Sequence, residues 1–506
     1  MRALALLGLA ITALTLPAAS GGARAPVGGF AEGVAAGEIR SASALLWTRA
    51  PAVGPVRLEL ARSASFAGAS VRQARATAAA DRTVTVAVAG LQPGAQYRYR
   101  FRQGELVSPA GSFRTAPAPG GDATVRFALS GDADATPAAN GKPAFNGFET
   151  YARMAAEGND FNVNLGDTIY SDSGVGGAAP ARSVAAKRAK YRLGLALEPL
   201  RRLRAAAGLY SHWDDHEFVN DFARAEHGDT LYRAGVRAFR DYAPVAYTSR
   251  TGLYRHVRWG RNLELFFLDE RSFRSAKATG PCNGDLAPTV PAALRAGFAT
   301  LAPSLAQPPT AACLEALASP SRTMLGAAQL ARFERDLRAS TATFKVIVNE
   351  VPLQELYVLP YDRWEGYAAE RTRLLRLLQE VGNTVVLTTD AHAHMVGELR
   401  TGTLSAAPVS TGIWEVVTGP VATNTYGREI DGFLGARGTA GFVTALFFKP
   451  PPPRGLGLPC VNVDQYGYAE VVVRARTLTV TPKTAAGRSV VDAGGRPCAP
   501  LVLRAG

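Results

Sequence analysis

The run Ala116-Pro117-Ala118-Pro119-Gly120-Gly121 is the most constraining feature of this chain, because the spacing of apolar residues differs on its two sides. Proline removes a backbone donor and glycine frees φ, so such a run reads as a linker. Before it, Val56-Arg57-Leu58-Glu59-Leu60 and Thr83-Val84-Thr85-Val86-Ala87-Val88 alternate apolar with polar or small residues. Residues 44–49 and 97–101 are further β-prone runs, the second entered through the turn Leu91-Gln92-Pro93-Gly94. Short alternating strands parted by turns predict an all-β sandwich of about ninety residues, placed at 26–118. After the linker, short apolar strands at 125–129, 161–165, 263–268, 344–348 and 384–388 are interspersed with helical faces. Phe148, Tyr151 and Ala155 share one face; Leu330, Phe333 and Leu337 another; Leu374, Leu377, Leu378 and Val381 a third. Strands mixed with helices predict an α/β layered domain at 122–506. A Pro- and Ala-rich insertion at 275–322 interrupts it, and 469–473 with 477–481 form a closing hairpin.

Polar clusters follow these strands, which is where α/β folds place their sites. They are Asp132-Ala133-Asp134, Gly166-Asp167-Thr168-Ile169-Tyr170, Trp213-Asp214-Asp215-His216-Glu217 and Asp390-Ala391-His392-Ala393-His394. A lone D-x-D is often a turn and a lone Asp-His pair often a cap. Four clusters in order, three of them directly after predicted strands at the mouth of one sheet, predict a metal site. Hard oxygen donors suit Fe³⁺, Ca²⁺, Mg²⁺ or Mn²⁺, and imidazole adds affinity for transition metals. Two cations sharing a carboxylate clamp a phosphate and activate a water. There is no G-x-S-x-G elbow for a serine nucleophile.

The opening residues read as a secretory signal over 1–25: Met1-Arg2, an apolar run from Leu4 to Leu16, then Pro17-Ala18-Ala19-Ser20. The run is shorter than the ~20 residues a membrane-spanning helix needs, so no transmembrane anchor is expected and the chain is placed as secreted or periplasmic. Its four cysteines, Cys282, Cys313, Cys460 and Cys498, fit two disulfides in that setting. Three pairings satisfy the count; Cys282–Cys313 and Cys460–Cys498 are favoured, because each brackets one loop-rich segment. The net charge is +14, from 56 Lys and Arg against 42 Asp and Glu. The basic residues are scattered, with no lysine block and no basic-aromatic alternation. That argues against nucleic-acid binding as such and fits small anionic substrates.

The ordered motifs D-x-D, G-D-x-x-Y, D-D-H-E and D-x-H resemble the calcineurin-like metallophosphoesterase superfamily, and in detail the PhoD-like alkaline phosphatases. WDDHE (213–217), LGDTIY (165–170), TMLGAAQL (323–330), FKVIVNEVPL (344–353) and TTDAHAH (388–394) carry that likeness, with GLQPGAQYRYRF (90–101) in the sandwich. The resemblance implies a four-layer α/β metallophosphoesterase sandwich preceded by an all-β Ig/fibronectin-like domain. It implies a secreted binuclear phosphoesterase that hydrolyses small-molecule phosphomonoesters or phosphodiesters by attack of metal-bound hydroxide.

Residue by residue, Asp132, Asp167, Tyr170 and His392 would hold the first metal, Fe³⁺, with Asp167 bridging. Asp132 stands where the family usually has Cys, which changes the ligand field. Asp215, Asp390 and Asn349 would hold the second metal, Ca²⁺ or another divalent cation, and His216 would be the general acid. Tyr170 is otherwise an ordinary core tyrosine, and Asn349 otherwise satisfies backbone groups at a strand end. Arg271 either binds the phosphate or pairs with Asp269. His394 and His212 read as supporting or packed residues. Two further readings remain: a phospholipase D-type phosphodiesterase, and a non-catalytic binding protein carried by the sandwich.

Overall fold

The computed structural model describes residues 29–299 and 302–506; the signal-peptide reading lies outside them. Among the described residues no helix is long and apolar enough to cross a membrane.

The N-terminal strands form two antiparallel sheets. One is three-stranded, ordered Val34–Gly37, Ser43–Arg49, Thr83–Ala89. The other is five-stranded and contains Ser70–Ala76, Gly54–Ala61, Gln96–Gln103, Leu106–Val107 and Gly111–Arg114. Alternation decides the inner face: Val56 and Leu58 are buried while Arg57 and Glu59 point outward. The inner residues Leu46, Leu58, Tyr99, Phe101 and Phe113 join one core. Trp47 seats this part on the rest of the chain, donating to the Asp241 carbonyl at 2.8 Å and lying under Arg204.

Beyond the linker two sheets pack face to face. The six-stranded sheet runs Gly208–His212, Phe161–Leu165, Val125–Ser130, Gly467–Arg474, Thr477–Thr484, Leu501–Arg504. Its first three strands are parallel, and Gly467–Arg474 is antiparallel to Val125–Ser130. The seven-stranded sheet runs Arg255–Trp259, Leu263–Phe267, Phe344–Val348, Thr384–Thr388, Val409–Val417, His394–Thr401, Cys460–Asn462, with four consecutive parallel strands. Phe127, Phe161, Val163 and Leu165 from one sheet share a core with Leu265, Phe267, Val346 and Leu387 from the other. Helices Glu149–Ala156 and Arg224–Tyr242 cover the outer face of the first; Ala327–Ala339 and Ala368–Val381 cover the second. Parallel strands buried on both faces read as continuous apolar runs, as these do. The result is the four-layer α/β sandwich behind an all-β domain that the sequence predicts.

The disulfides are Cys282–Cys313 and Cys460–Cys498. The first staples the insertion, which contains the helices Ala292–Phe298 and Ala311–Ala318 and is less irregular than its composition implies. The closing hairpin spans Gly467–Arg474 and Thr477–Thr484 in unbroken register.

Candidate metal centre

The polar clusters leave the same end of both sheets, not the mouth of one. Asp132, Asp167 and Asp215 follow strands of the six-stranded sheet; Asp390 and His392 follow a strand of the seven-stranded sheet. The WDDHE cluster also follows a strand, Gly208–His212, that its sequence does not announce. The two sheets are latched at this end: Thr389 Oγ1 donates to the Leu165 carbonyl at 2.7 Å, and the Asp390 N–H to Asp132 Oδ1 at 3.4 Å. Within the six-stranded sheet, Gly166 lets the loops after Phe161–Leu165 and Gly208–His212 approach closely. Its φ is +89°, and a Cβ there would stand 2.5 Å from that of Asp214.

One ligand atom each from Asp132, Asp167 and His392 lie within 4.8 Å of one another, and so do those of Asp167, Asp215 and His216. A third group is Asp214, Asp215 and Asp390, and a fourth Asp215, Asp221 and Asp362. Asp167 belongs to the first two groups, which is the geometry of a shared carboxylate between two cations. Tyr170 reaches the first group, its hydroxyl 3.1 Å from His392 Nε2. Its ring stacks on that of His216 with centroids 4.1 Å apart.

The electrostatics fit bound cations. Burial pushes Asp132 up to about 7. Burial, then the charges of Asp215 and Asp214, raise Asp167 well above the carboxylate range. Burial and the nearby Asp214 do the same to Asp390. Asp132 Oδ2 and Asp214 Oδ2 are buried with no hydrogen-bond partner among the described residues. Crowded, unpaired carboxylate oxygens cost several kcal/mol unless a cation or proton meets them, and the donor set suits hard cations.

His216 is held from behind: its Nδ1 is 2.6 Å from Asp172 Oδ1, and Asp172 Oδ2 accepts the Asn220 N–H at 2.8 Å. Burial would lower His216, but Asp215 and the Asp172 hydrogen bond outweigh it and hold it at about 9. His392 behaves alike: burial opposes its charge, yet Glu429, 2.8 Å from Nδ1, holds it at about 9. Asp172 and Glu429 were not singled out in the sequence. Asp172 follows Tyr170 closely in the same loop and was within reach; Glu429 lies on the distant helix Tyr426–Leu434 and carried no signal.

Arg271 is fully buried. Its guanidinium contacts Asp214, Asp362 at 2.6 Å and Asp390 at 3.4 Å. Asp269 takes only its backbone N–H, at 3.2 Å. Asn349 stands at the end of Phe344–Val348, where Nδ2 donates to the Val351 carbonyl and Oδ1 accepts from Trp364 Nε1 at 3.3 Å. His212 packs against Glu350, 2.9 Å from Nδ1, and burial lowers it to about 3. Burial likewise lowers His394 to about 3, beside the backbone of Gly419.

The description of the PhoD-like phosphatase family matches residues 137–481, and that of the PhoD-like phosphatase N-terminal domain matches 17–117. Alkaline phosphatase D of Bacillus subtilis (strain 168) is 28% identical over 423 residues, 73% of this chain and 66% of the relative's length. The chain thus spans just under two thirds of that relative. A solved structure of PhoD superposes with a TM-score of 0.71 at 22% identity, over 96% of this chain and 92% of that one. A purple acid phosphatase from yellow lupin (Lupinus luteus) seeds gives 0.54 at 11% identity, over 93% of this chain and 73% of its own. Both likenesses concern the fold.

Proposed function

Because the chain belongs to the PhoD-like phosphatase family, we propose that it is an exported phosphoric ester hydrolase working with two metal ions. The observation that carries this reading is the pair of ligand groups that share Asp167. Asp132, Asp167, Tyr170 and His392 would hold the first ion, read as Fe³⁺ because a phenolate prefers a hard, highly charged acid. Asp167, Asp215 and Asp390, with Asn349 as a carbonyl donor, would hold the second, read as Ca²⁺ or another divalent cation. When bound, the two ions supply Lewis acidity that activates a water and neutralises the phosphate.

The chain's own residues do the rest. Asp172 occupies His216 Nδ1 and so turns Nε2 toward the site, where His216 Nε2 lies 4.0 Å from Asp167 Oδ2. His216, held at Nδ1 by Asp172, would give its proton from Nε2 to the departing alcohol oxygen. Arg271 pairs with Asp214 and Asp390 and aligns them, and adds positive charge that favours an anionic ester. The substrates are small phosphomonoesters or phosphodiesters.

Asp167→Ala and Asp215→Ala are expected to lose at least about 1,000-fold in kcat/KM on p-nitrophenyl esters while keeping their circular dichroism. Full activity in either variant would sink the site. Elemental analysis with a visible spectrum separates the ligand assignments. Iron with a broad charge-transfer band supports Tyr170 at the first ion. Two equivalents of another metal without that band would remove Tyr170 from the ligand set and leave the hydrolase reading standing.

A further inference from the structure

The loop that carries Asp172 and the loop that carries His216 are clamped together by a third element. We propose that Lys187 is a positioning residue for the proton donor of the site: its ammonium holds His216 and Asp172 where Nδ1 is engaged and Nε2 is free to face the ester. Lys187 lies on the helix Val184–Ala196, outside every motif quoted above, and is fully buried. Its Nζ donates to Ser171 Oγ at 2.8 Å and to the Phe218 carbonyl at 2.9 Å. Ser171 immediately precedes Asp172, and Phe218 stands two residues after His216. Ser171 also sends its N–H to the His216 carbonyl at 2.9 Å and its hydroxyl to the Glu217 carbonyl at 3.3 Å. These contacts all cross from one loop to the other, and Lys187 ties both ends from behind.

A buried ammonium is costly. Burial works against the charge of Lys187, while the carboxylates of Glu217 and Asp172 favour it. Both of its hydrogen-bond partners are neutral oxygens. An apolar side chain of similar length would fill the space at lower cost. What the ammonium adds is direction: it draws Ser171 and Phe218 toward one point, so the two loops cannot slide past each other. The 2.6 Å contact between His216 Nδ1 and Asp172 Oδ1 depends on that spacing. An imidazole engaged there gives the proton on Nε2 to the ester oxygen as its bond to phosphorus breaks, and is left neutral with the Nδ1–H still on Asp172. The Asn220 N–H keeps its hold on Asp172 when the clamp is cut. Loss of Lys187 therefore loosens the proton donor without removing it. This role rests on the hydrolase reading, with His216 as the acid.

Leaving groups separate this role from general support. p-Nitrophenolate departs with little help, whereas the more basic phenolate needs a proton. The full-length protein is assayed on phenyl and on p-nitrophenyl esters of phosphate, and the ratio of the two kcat values is compared between variants. In Lys187→Met the phenyl-to-p-nitrophenyl ratio is expected to fall at least about tenfold below that of wild type. Ser171→Ala keeps the lysine but removes the hydroxyl it holds, and should shift the ratio the same way; it decides the matter if Lys187→Met does not fold. His216→Ala should lower the ratio further. Adding Lys187→Met to His216→Ala should then change it by less than about twofold, because the lysine acts only through the imidazole. Elemental analysis should find the same metal equivalents in Lys187→Met as in wild type. An unchanged ratio in the folded variants, a loss that adds to that of His216→Ala, or a lost metal equivalent overturns the proposal. An unchanged ratio in His216→Ala overturns it too, and leaves the hydrolase reading standing. A wild type inactive on every ester strikes the hydrolase reading and the proposal with it.

Discussion

Asp132, Asp167, Asp390 and His392 all carry positive φ, at 59°, 49°, 64° and 49°. Each such non-glycine residue costs about 1 kcal/mol or more and persists only where its surroundings over-determine it. Here the surroundings are visible: the Asp132 N–H donates to the Gly166 carbonyl at 3.3 Å, the Ala133 N–H to Asp167 at 3.0 Å, and the Ala422 N–H to Asp132 at 3.0 Å. The strain aims carboxylates at one point before any ion arrives. Glu429 has the matching task for imidazole, fixing the ring so that Nε2 faces Tyr170. Glu429→Gln should therefore weaken one of the two cations by about 10- to 100-fold and leave the other unchanged. Metal titration by calorimetry checks this; equal weakening at both sites would show a general structural effect instead.

Among the elements, helix Glu149–Ala156 is tied to the closing hairpin through Glu157, which accepts from Tyr468 at 2.6 Å, Arg153 at 2.8 Å and Lys483 at 3.2 Å. Burial opposes its charge, but these donors win and hold its carboxyl at about 2, below its ordinary 4.5. A folded value below the unfolded one means stability present above about 4.5 and lost as pH falls toward about 2. Glu157→Gln should lower the melting temperature at pH 7, and the gap to wild type should close across that acid window in scanning calorimetry. A gap independent of pH would assign the effect to packing.

The elements also show what the sequence made legible. Strands such as Phe344–Val348 announce themselves as apolar runs, and the acidic clusters stand at their ends. Gly208–His212 is as deeply buried but reads Gly-Leu-Tyr-Ser-His, with too little β-branched character to stand out. His394–Thr401 buries Met395, Val396 and Leu399 but intersperses them with His, Gly, Glu and Arg, so no continuous apolar run announces it. That the clusters come from two sheets was not legible, since sheet membership depends on pairings far apart in the chain. Asp172, Glu429 and Asp362 escaped for a related reason: their roles appear only against partners on other loops.

For the whole molecule, convergence depends on two sheets holding their register at one end. The sandwich contributes to this frame: Glu38 pairs with Arg255 at 2.7 Å in a buried contact, and Trp47 lies against Tyr242. The strand that launches Asp132 is flanked by Phe161–Leu165 on one side and by Gly467–Arg474 on the other. That second neighbour comes far later in the chain than the strand it completes. Until it arrives, Val125–Ser130 presents a bare apolar edge, and pairings this remote close slowly. The six-stranded sheet thus stays unfinished until the hairpin strand has been made, a state hazardous if prolonged. A chain ending at residue 466 should accumulate as insoluble aggregate, not as soluble protein lacking activity; fractionating cells that express it would show which. Every residue named in the candidate metal centre precedes residue 467, yet the strand that aims Asp132 has both its neighbours only once that segment pairs.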